Sequence, residues 1–445
     1  MSDRRNILEK FKEQKAYMEE RVNSDIEKYR KGDARIVVKD NCNGVIPNAR
    51  IKIKQKSHEF KFGANLFMLE ELETKEKNEL YKKYFADVFN MATLPFYWKD
   101  LEPTPGNRRF SKDSERIYRR PAIDLCMEYC KEHGIEPREH CLNYDPWIPD
   151  WLKNEPTSYI KEKLEERMKI LAERYAKDIP CWEVTNETLF CRLLADEPTD
   201  FYHEDDFISW SFDTAEKYFK NNELTINDAH CNVWAEAFNY NRSAYYMQIE
   251  RELNKGTRID AVGMQFHMFY KKEEEKEKTE LFYSPKHLFD VMDTYARFEK
   301  PLQITEVTIP AYSCDAEDED IQATILEKLY SIWFSHPNME QIIYWNLVDG
   351  YAAFAPQGDM TAGENYYYGG LIRFDLTPKP AYYRLKDLIE KKWHTEEEIV
   401  TNESGNALFR GFYGKYDVEI EVDGKIITKE INLSKNSENV FEIMM

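Results

Sequence analysis

From about residue 61 to 393, short β-like runs alternate with longer segments of helical periodicity, and this alternation limits what the chain can become more than its composition does. The runs are KFGAN, FADVFNMATLPFYW, IEPREHCLNY, IPCWEVTNE, NELTINDA, IDAVGMQFHM, PLQITEVTIP and QIIYWNLVD. Between them lie stretches such as SYIKEKLEERMKILAERYAKD and DEDIQATILEKLYSIWF, whose apolar residues recur at helical spacing. Apolar strands separated by helices form a parallel sheet that must be covered on both faces. Eight such units in about 330 residues predict an α/β fold, a (β/α)8 TIM barrel over 61–394.

The two ends read differently. Residues 5–30 place Leu8, Phe11, Met18, Val22, Ile26 and Tyr29 at helical spacing among many charges. This predicts an amphipathic helix within 1–32, whose stripe either docks on the body or pairs with a second chain as a homo-oligomer. Alternating runs at 35–39 and 49–55 flank a turn-rich stretch with Gly44 and Pro47, which predicts a hairpin-like strand pair. The far end is also β, with Asp423-Gly424 as a two-residue hairpin turn. Neither end can bury a core alone, so 33–60 and 395–445 are expected to join in one small β-sandwich. Trp393, Phe409, Phe412 and Tyr413 could make a surface platform there, although packing against the barrel is the simpler use.

Composition narrows the function classes. Of 445 residues 82 are acidic and 62 basic, a formal net charge of −20. That balance argues against nucleic acid and against an anionic membrane as partner. No run approaches the ~18 apolar residues of a membrane span. The opening MSDRRNILEKFKEQ lacks the apolar centre of a secretory signal, so a cytoplasmic location is expected. Cys42, Cys126, Cys130, Cys141, Cys181, Cys191, Cys231 and Cys314 are too sparse for a disulfide framework and read as reduced, buried thiols. Cys126, Cys130 and His133 share a helical face but lack paired spacing and a fourth ligand, so no metal and no cofactor is assigned. Aromatic residues, 14% of the chain, suit a site that stacks on apolar faces while hydrogen-bonding polar edges.

In a barrel of this kind the reacting groups belong at the carboxyl ends of the strands. Glu187 closes the fourth run and Glu306 the seventh, each after residues that ought to be buried. A carboxylate there must be hydrogen-bonded, paired or functional. Two opposed carboxylates fit hydrolysis of a glycosidic bond, which needs an acid for the leaving oxygen and a nucleophile or base on the other face.

These residues support a resemblance. W-E-V-T-N-E (182–187) resembles the W-D-V-V-N-E signature of glycoside hydrolase family 10, the xylanase family, and I-T-E-V (304–307) is similar to its I-T-E-L nucleophile motif. Further matches follow in order: Phe62-Gly63, Glu102-Pro103, His140 with Leu142 and Trp151, Asn227-Asp228, Gly263-x-Gln265-x-His267, Trp345 with Asp349, and L-T-P-K-P-A-Y-Y-R-L at 376–385. The resemblance implies a retaining glycosidase in which Glu187 is the acid and then the base, and Glu306 the nucleophile. It implies that Asn186 bonds the sugar 2-hydroxyl, that His267 orients the nucleophile with Gln265 beside it, and that His140 and Trp345 line the sugar site.

The departures cluster at the sugar site. Where the family shows E-N-x-M-K-W, this chain has T-L-P-F-Y-W-K (93–99) with Phe96 and Tyr97. Where the family has W-H-x-Q, it has Tyr144, Asp145 and Trp147, and A-A-F (352–354) and E-N-Y-Y-Y-G-G (364–370) replace an S-W ending. A site that loses several polar partners loses discrimination for the original sugar. The expected substrate is therefore a small imported β-linked oligosaccharide, or a glycoside whose apolar aglycone stacks on Phe96, Tyr97, Tyr144 and Trp147. The alternative is a carbohydrate-binding or sensing protein built on a catalytically decayed barrel.

Overall fold

The computed structural model describes residues 4–189 and 197–445. Two strands, β1 (Lys31–Lys39) and β2 (Arg50–His58), precede the barrel. Each of the eight expected runs then supplies one strand: β3 (Lys61–Asn65), β4 (Met91–Pro95), β5 (Glu136–His140), β6 (Cys181–Asn186), β7 (Glu223–Asn227), β8 (Ala261–His267), β9 (Leu302–Thr308) and β10 (Met339–Tyr344). They pair in parallel around a closed ring in which β10 returns to β3. Every residue of β6, β8 and β9 is buried, as strands covered on both faces must be.

Each barrel strand is followed by a helix. Numbering from the chain start, α1 is Lys15–Tyr29 and the eight barrel helices are α2 (Lys75–Ala86), α3 (Ile123–His133), α4 (Thr157–Tyr175), α5 (Phe207–Tyr218), α6 (Ala244–Lys255), α7 (Pro285–Tyr295), α8 (Ala316–Ser335) and α9 (Pro380–Asp387). Local sequence sets several boundaries. The Thr74 hydroxyl caps α2 by accepting the Lys77 N–H at 3.2 Å, and α7 and α9 begin with proline. Gly134 and Gly256 end α3 and α6 in the left-handed conformation.

The amphipathic N-terminal segment is not one helix. A 3-10 turn (Arg4–Leu8) and a short helix (Glu9–Glu13) precede α1, and the break falls at Gln14. Its side chain donates to Ser284 Oγ at 3.0 Å and accepts the Lys286 N–H at 2.8 Å, closing the first turn of α7. The stripe docks on the chain's own barrel, where Phe11 stacks on Tyr283 and Met18, Val22 and Ile26 join the main core. Consequently α8, covered by α1, is buried nearly all round.

Both chain ends build the sandwich. Its other strands are β11 (Glu396–Val400), β12 (Asn406–Phe412), β13 (Gly414–Val422), β14 (Lys425–Leu433) and β15 (Val440–Met444). One sheet has the order β12-β1-β15 and the other β11-β2-β13-β14. The expected β1–β2 hairpin does not form. The two strands lie in opposite sheets, because each has an apolar face and those faces meet: Ile36 and Val38 share a core with Ile51, Ile53, Val418 and Phe409. Asp423 and Gly424 form the expected tight turn, with φ of 48° and 81° and Val422 opposite Lys425.

The aromatic residues at this end take the simpler use and pack inward. Trp393 is buried and stacks on Phe334 and Phe62, with centroids 4.3 and 5.7 Å away, while Phe409 and Phe412 are core residues. Four cysteines are buried as expected, Cys126, Cys130, Cys141 and Cys181, but Cys42 and Cys314 are exposed on loops and Cys231 is half-buried. Cys191 lies outside the described residues. Among the described residues no helix is long and apolar enough to cross a membrane.

Candidate active site

The ends of the barrel strands converge on a cleft of about 500 Å³. Asn186, Asn227 and His267 are the last residues of β6, β7 and β8, and His140 ends β5. Glu187 follows β6 with φ of 51°, a left-handed conformation that glutamate adopts only where its surroundings hold it. Glu306 and Gln265 project from within β9 and β8.

One amide ties the two acids together. Gln265 Nε2 lies 2.9 Å from Glu187 Oε1, 2.9 Å from Glu306 Oε1 and 3.2 Å from Asn186 Oδ1. Those two carboxylate oxygens therefore stand less than about 6 Å apart, so the acids face one another across the space a glycosidic bond would fill. Asn227 Nδ2 donates to Asn186 Oδ1 at 3.0 Å and to Glu306 Oε1 at 3.3 Å, and Thr305 Oγ1 fixes Asn227 by donating to its Oδ1 at 2.7 Å. With its carbonyl oxygen so engaged, Asn186 has its NH2 for a ligand. The approach of β7 to β8 needs Gly263, since a Cβ there would lie 2.5 Å from Asn227 Oδ1.

His267 Nε2 is 3.1 Å from Glu306 Oε2, and its Nδ1 is 3.0 Å from Thr308 Oγ1. Burial lowers its pKa to about 4, so the ring is neutral; with the threonine hydroxyl donating to Nδ1, the Nε2–H points at Glu306. Behind this layer, Glu183 accepts from Arg138 at 2.5 Å and lies 2.9 Å from His140 Nδ1, all three fully buried. His140 Nε2 meets the Tyr97 hydroxyl at 3.0 Å. Although burial opposes it, the charges of His140 and Arg138 hold Glu183 below its ordinary pKa.

Burial, and after it the charge of Glu306, pushes Glu187 up to about 8. Burial does the same to Glu306, against the opposing field of His140 and Arg138. Two carboxylates this close cannot both ionise cheaply, so the pair shares a proton and titrates in two macroscopic steps. Glu306 has the donors Asn227, Gln265 and His267, while Glu187 accepts from Gln265 and the Tyr144 hydroxyl. One carboxylic acid and one carboxylate thus face a common space.

Aromatic rings wall the cleft. Tyr144 stacks on Trp147 at 5.2 Å and 13°, and Tyr97, Trp345 and Phe67 cluster beside them. Two expected contacts lie elsewhere. Asp145 is buried away from the cleft, where it accepts the Thr199 N–H at 3.1 Å and the Thr199 hydroxyl and so anchors the loop before α5. Phe96 packs inward on Trp182 and Tyr175. Arg119, Arg120, Phe269, Phe354, Glu364 and Tyr367 line the cleft without having been singled out as contacts. The A-A-F and E-N-Y-Y-Y-G-G stretches were a signal for the last three, whereas the R-R pair sits in a loop with no motif around it.

The ligand atoms of His140, Cys141 and Glu183 lie within 4.8 Å of one another. The Arg138 guanidinium already occupies Glu183, and burial raises the Cys141 thiol well above its ordinary pKa. The trio therefore suits a hydrogen-bonded ion pair better than a cation.

The model of glycosyl hydrolase family 10 matches residues 52–388, the whole barrel with part of β2. The chain belongs to this family. Among curated proteins, a family 10 chain of this kind is similar to the anti-sigma-I factor RsgI6 of Acetivibrio thermocellus, 25% identical over 91% of this chain and 47% of that protein. It is also similar to endo-1,4-beta-xylanase 2 of Arabidopsis thaliana, 22% identical over 92% of this chain and 35% of that one. This family 10 chain thus spans only a third to a half of those relatives. In fold it matches native xylanase 10B from Thermotoga maritima, with a TM-score of 0.57 and 20% identity over 75% of this chain and 96% of that chain.

Proposed function

We propose that the chain is a retaining β-glycosidase that acts by double displacement, with Glu187 as acid and base and Glu306 as nucleophile. The observation that carries this is the Gln265 amide lying 2.9 Å from an oxygen of each acid, a spacing that suits direct attack. In the first step the ionised Glu306 attacks the anomeric carbon while the Glu187 proton passes to the leaving oxygen, giving a glycosyl ester and a free aglycone. Glu187, now ionised, takes a proton from water; the resulting hydroxide equivalent attacks the same carbon and releases Glu306. The Asn186 NH2 would bond the 2-hydroxyl as positive charge develops on the ring. His267, held neutral, orients Glu306 without neutralising it.

The substrate we infer is a small imported β-linked oligosaccharide or an aryl-type glycoside, hydrolysed in the cytoplasm. Tyr97, Tyr144, Trp147 and Trp345 line the cleft and can stack on sugar or aglycone. Turnover of aryl β-xylosides and β-glucosides by wild type and by Glu306→Ala tests the reading. The wild type should cleave at least one series, and the variant should lose roughly 10⁴-fold or more; activity retained in Glu306→Ala would sink the assignment.

A second reading, a carbohydrate sensor on a family 10 scaffold, is favoured by one observation: the relative that aligns over 91% of the chain is called an anti-sigma factor. Tight sugar binding without turnover would decide for it.

A further inference from the structure

Two adjacent arginines enter the cleft from the loop between β4 and α3. Arg119 is buried and adopts φ of 62°, a strained conformation for a long side chain, so the loop is held in a form that directs both guanidiniums into the site. Its partners are neutral: it donates to the Tyr351 carbonyl oxygen and, at 3.0 Å, to Asn346 Oδ1. Glu364, the carboxylate whose charge acts most on Arg119, makes no ion pair with it and is held by Asn346 Nδ2 at 2.7 Å and by the Ala353 N–H. Among the described residues no carboxylate forms an ion pair with Arg119. Arg120 differs, being neutralised by Asp100 at 2.7 Å and laid over the Tyr97 ring at 4.1 Å.

A buried guanidinium hydrogen-bonded only to neutral oxygens, with Glu364 held off it by Asn346, is costly unless a ligand brings a direct counter-charge. Its place says which part of the ligand that is. In the closed ring β10 stands diametrically across from β6, so Asn346 and Tyr351, which follow β10, belong to the wall opposite Glu187. The leaving group departs on the side of the proton donor, and the sugar retained on Glu306 extends toward the other wall. The guanidinium fork suits the planar geometry of a carboxylate, and the nearby Glu364 charge disfavours a more highly charged phosphate dianion.

We infer that the cleft takes a glycone bearing a carboxylate, a β-linked uronic acid, with Arg119 as the residue that recognises it. This rests on the glycosidase reading above. The test compares kcat/KM for 4-nitrophenyl β-glucuronide, β-glucoside and 6-phospho-β-glucoside, which differ at C6 alone, in wild type, Arg119→Met and Arg119→Lys. Wild type should favour the glucuronide over the glucoside by about tenfold or more. Arg119→Met should erase that ratio, and Arg119→Lys, which keeps a charge but loses the fork, should retain part of it. If the methionine variant does not fold, the lysine variant and the fall of the wild-type ratio with added salt still decide. A ratio at or below one, a ratio indifferent to Arg119, or a preference for the phosphate would overturn the inference. If none of the three is cleaved while an aryl β-xyloside is, the inference is overturned and the glycosidase reading stands; if the xyloside is not cleaved either, the glycosidase reading fails by itself. Calorimetric titration with free glucuronate and glucose then decides: tighter binding of glucuronate that Arg119→Met abolishes upholds the anion site, and equal binding overturns it.

Discussion

The Tyr144 hydroxyl donates to Glu187, so it favours the ionised form of the very group that must hold a proton for the first step. Burial and the neighbouring Glu306 outweigh it, leaving the acid raised to about 8. In Tyr144→Phe the donor is gone and the acid should keep its proton to higher pH. The alkaline limb of the kcat/KM profile is expected to move up by roughly half to one pH unit; a limb that moves down or stays contradicts this placement of the proton. At this scale the sequence was legible where a motif fixes both residue and direction, as for Glu187, Glu306, Asn186, Gln265 and His267. It was illegible where only a loop position was known. Asp145 lies between Tyr144 and Trp147, yet its carboxylate binds Thr199 away from the cleft, because the single 3-10 turn Asp145–Trp147 is too short to show a period from which to read a side-chain direction.

At the scale of strands, β7 and β8 must approach closely enough for Asn227 to reach Glu306, and Gly263 permits it. In Gly263→Ala the new methyl would meet Asn227 Oδ1 and the Ile226 carbonyl oxygen, both backed by β-sheet. We expect a stability loss of about 1–3 kcal/mol by denaturant titration and a kcat/KM at least about tenfold lower in the folded variant. Wild-type rates would show that Asn227 does not position the nucleophile. All eight barrel strands were readable because apolar runs bounded by helices have few other fates. The β1–β2 hairpin misled for a related reason: an alternating pattern says which face is apolar but not whether the partner lies beside the strand or across the core. Arg119 escaped notice because its importance comes from Asn346 and Tyr351, more than 200 positions away in the chain.

The whole molecule carries raised carboxyls at both ends of the barrel. Besides Glu187 and Glu306 at the mouth, Glu340 at the base is raised to about 8 by burial and by Glu223, with Gln303 Nε2 only 2.6 Å from each of the two. The folded state therefore holds protons that the unfolded chain, with ordinary glutamate near 4.5, releases. The stability they contribute is present below that value and lost as pH rises toward 8. The melting temperature should fall between pH 5 and pH 9. Glu340→Gln, which imitates the protonated form, should raise it by roughly 2–4 °C at pH 8 and by less at pH 5; an equal effect at both would contradict the raised pKa of Glu340. The central claim concerns the mouth, and one observation tests it most directly: proton NMR of the first-formed sugar as wild type cleaves an aryl β-glycoside. Double displacement through Glu306 predicts the β-anomer first, with the α-anomer growing only by mutarotation. Initial release of the α-anomer would mean a water, not Glu306, attacks the anomeric carbon.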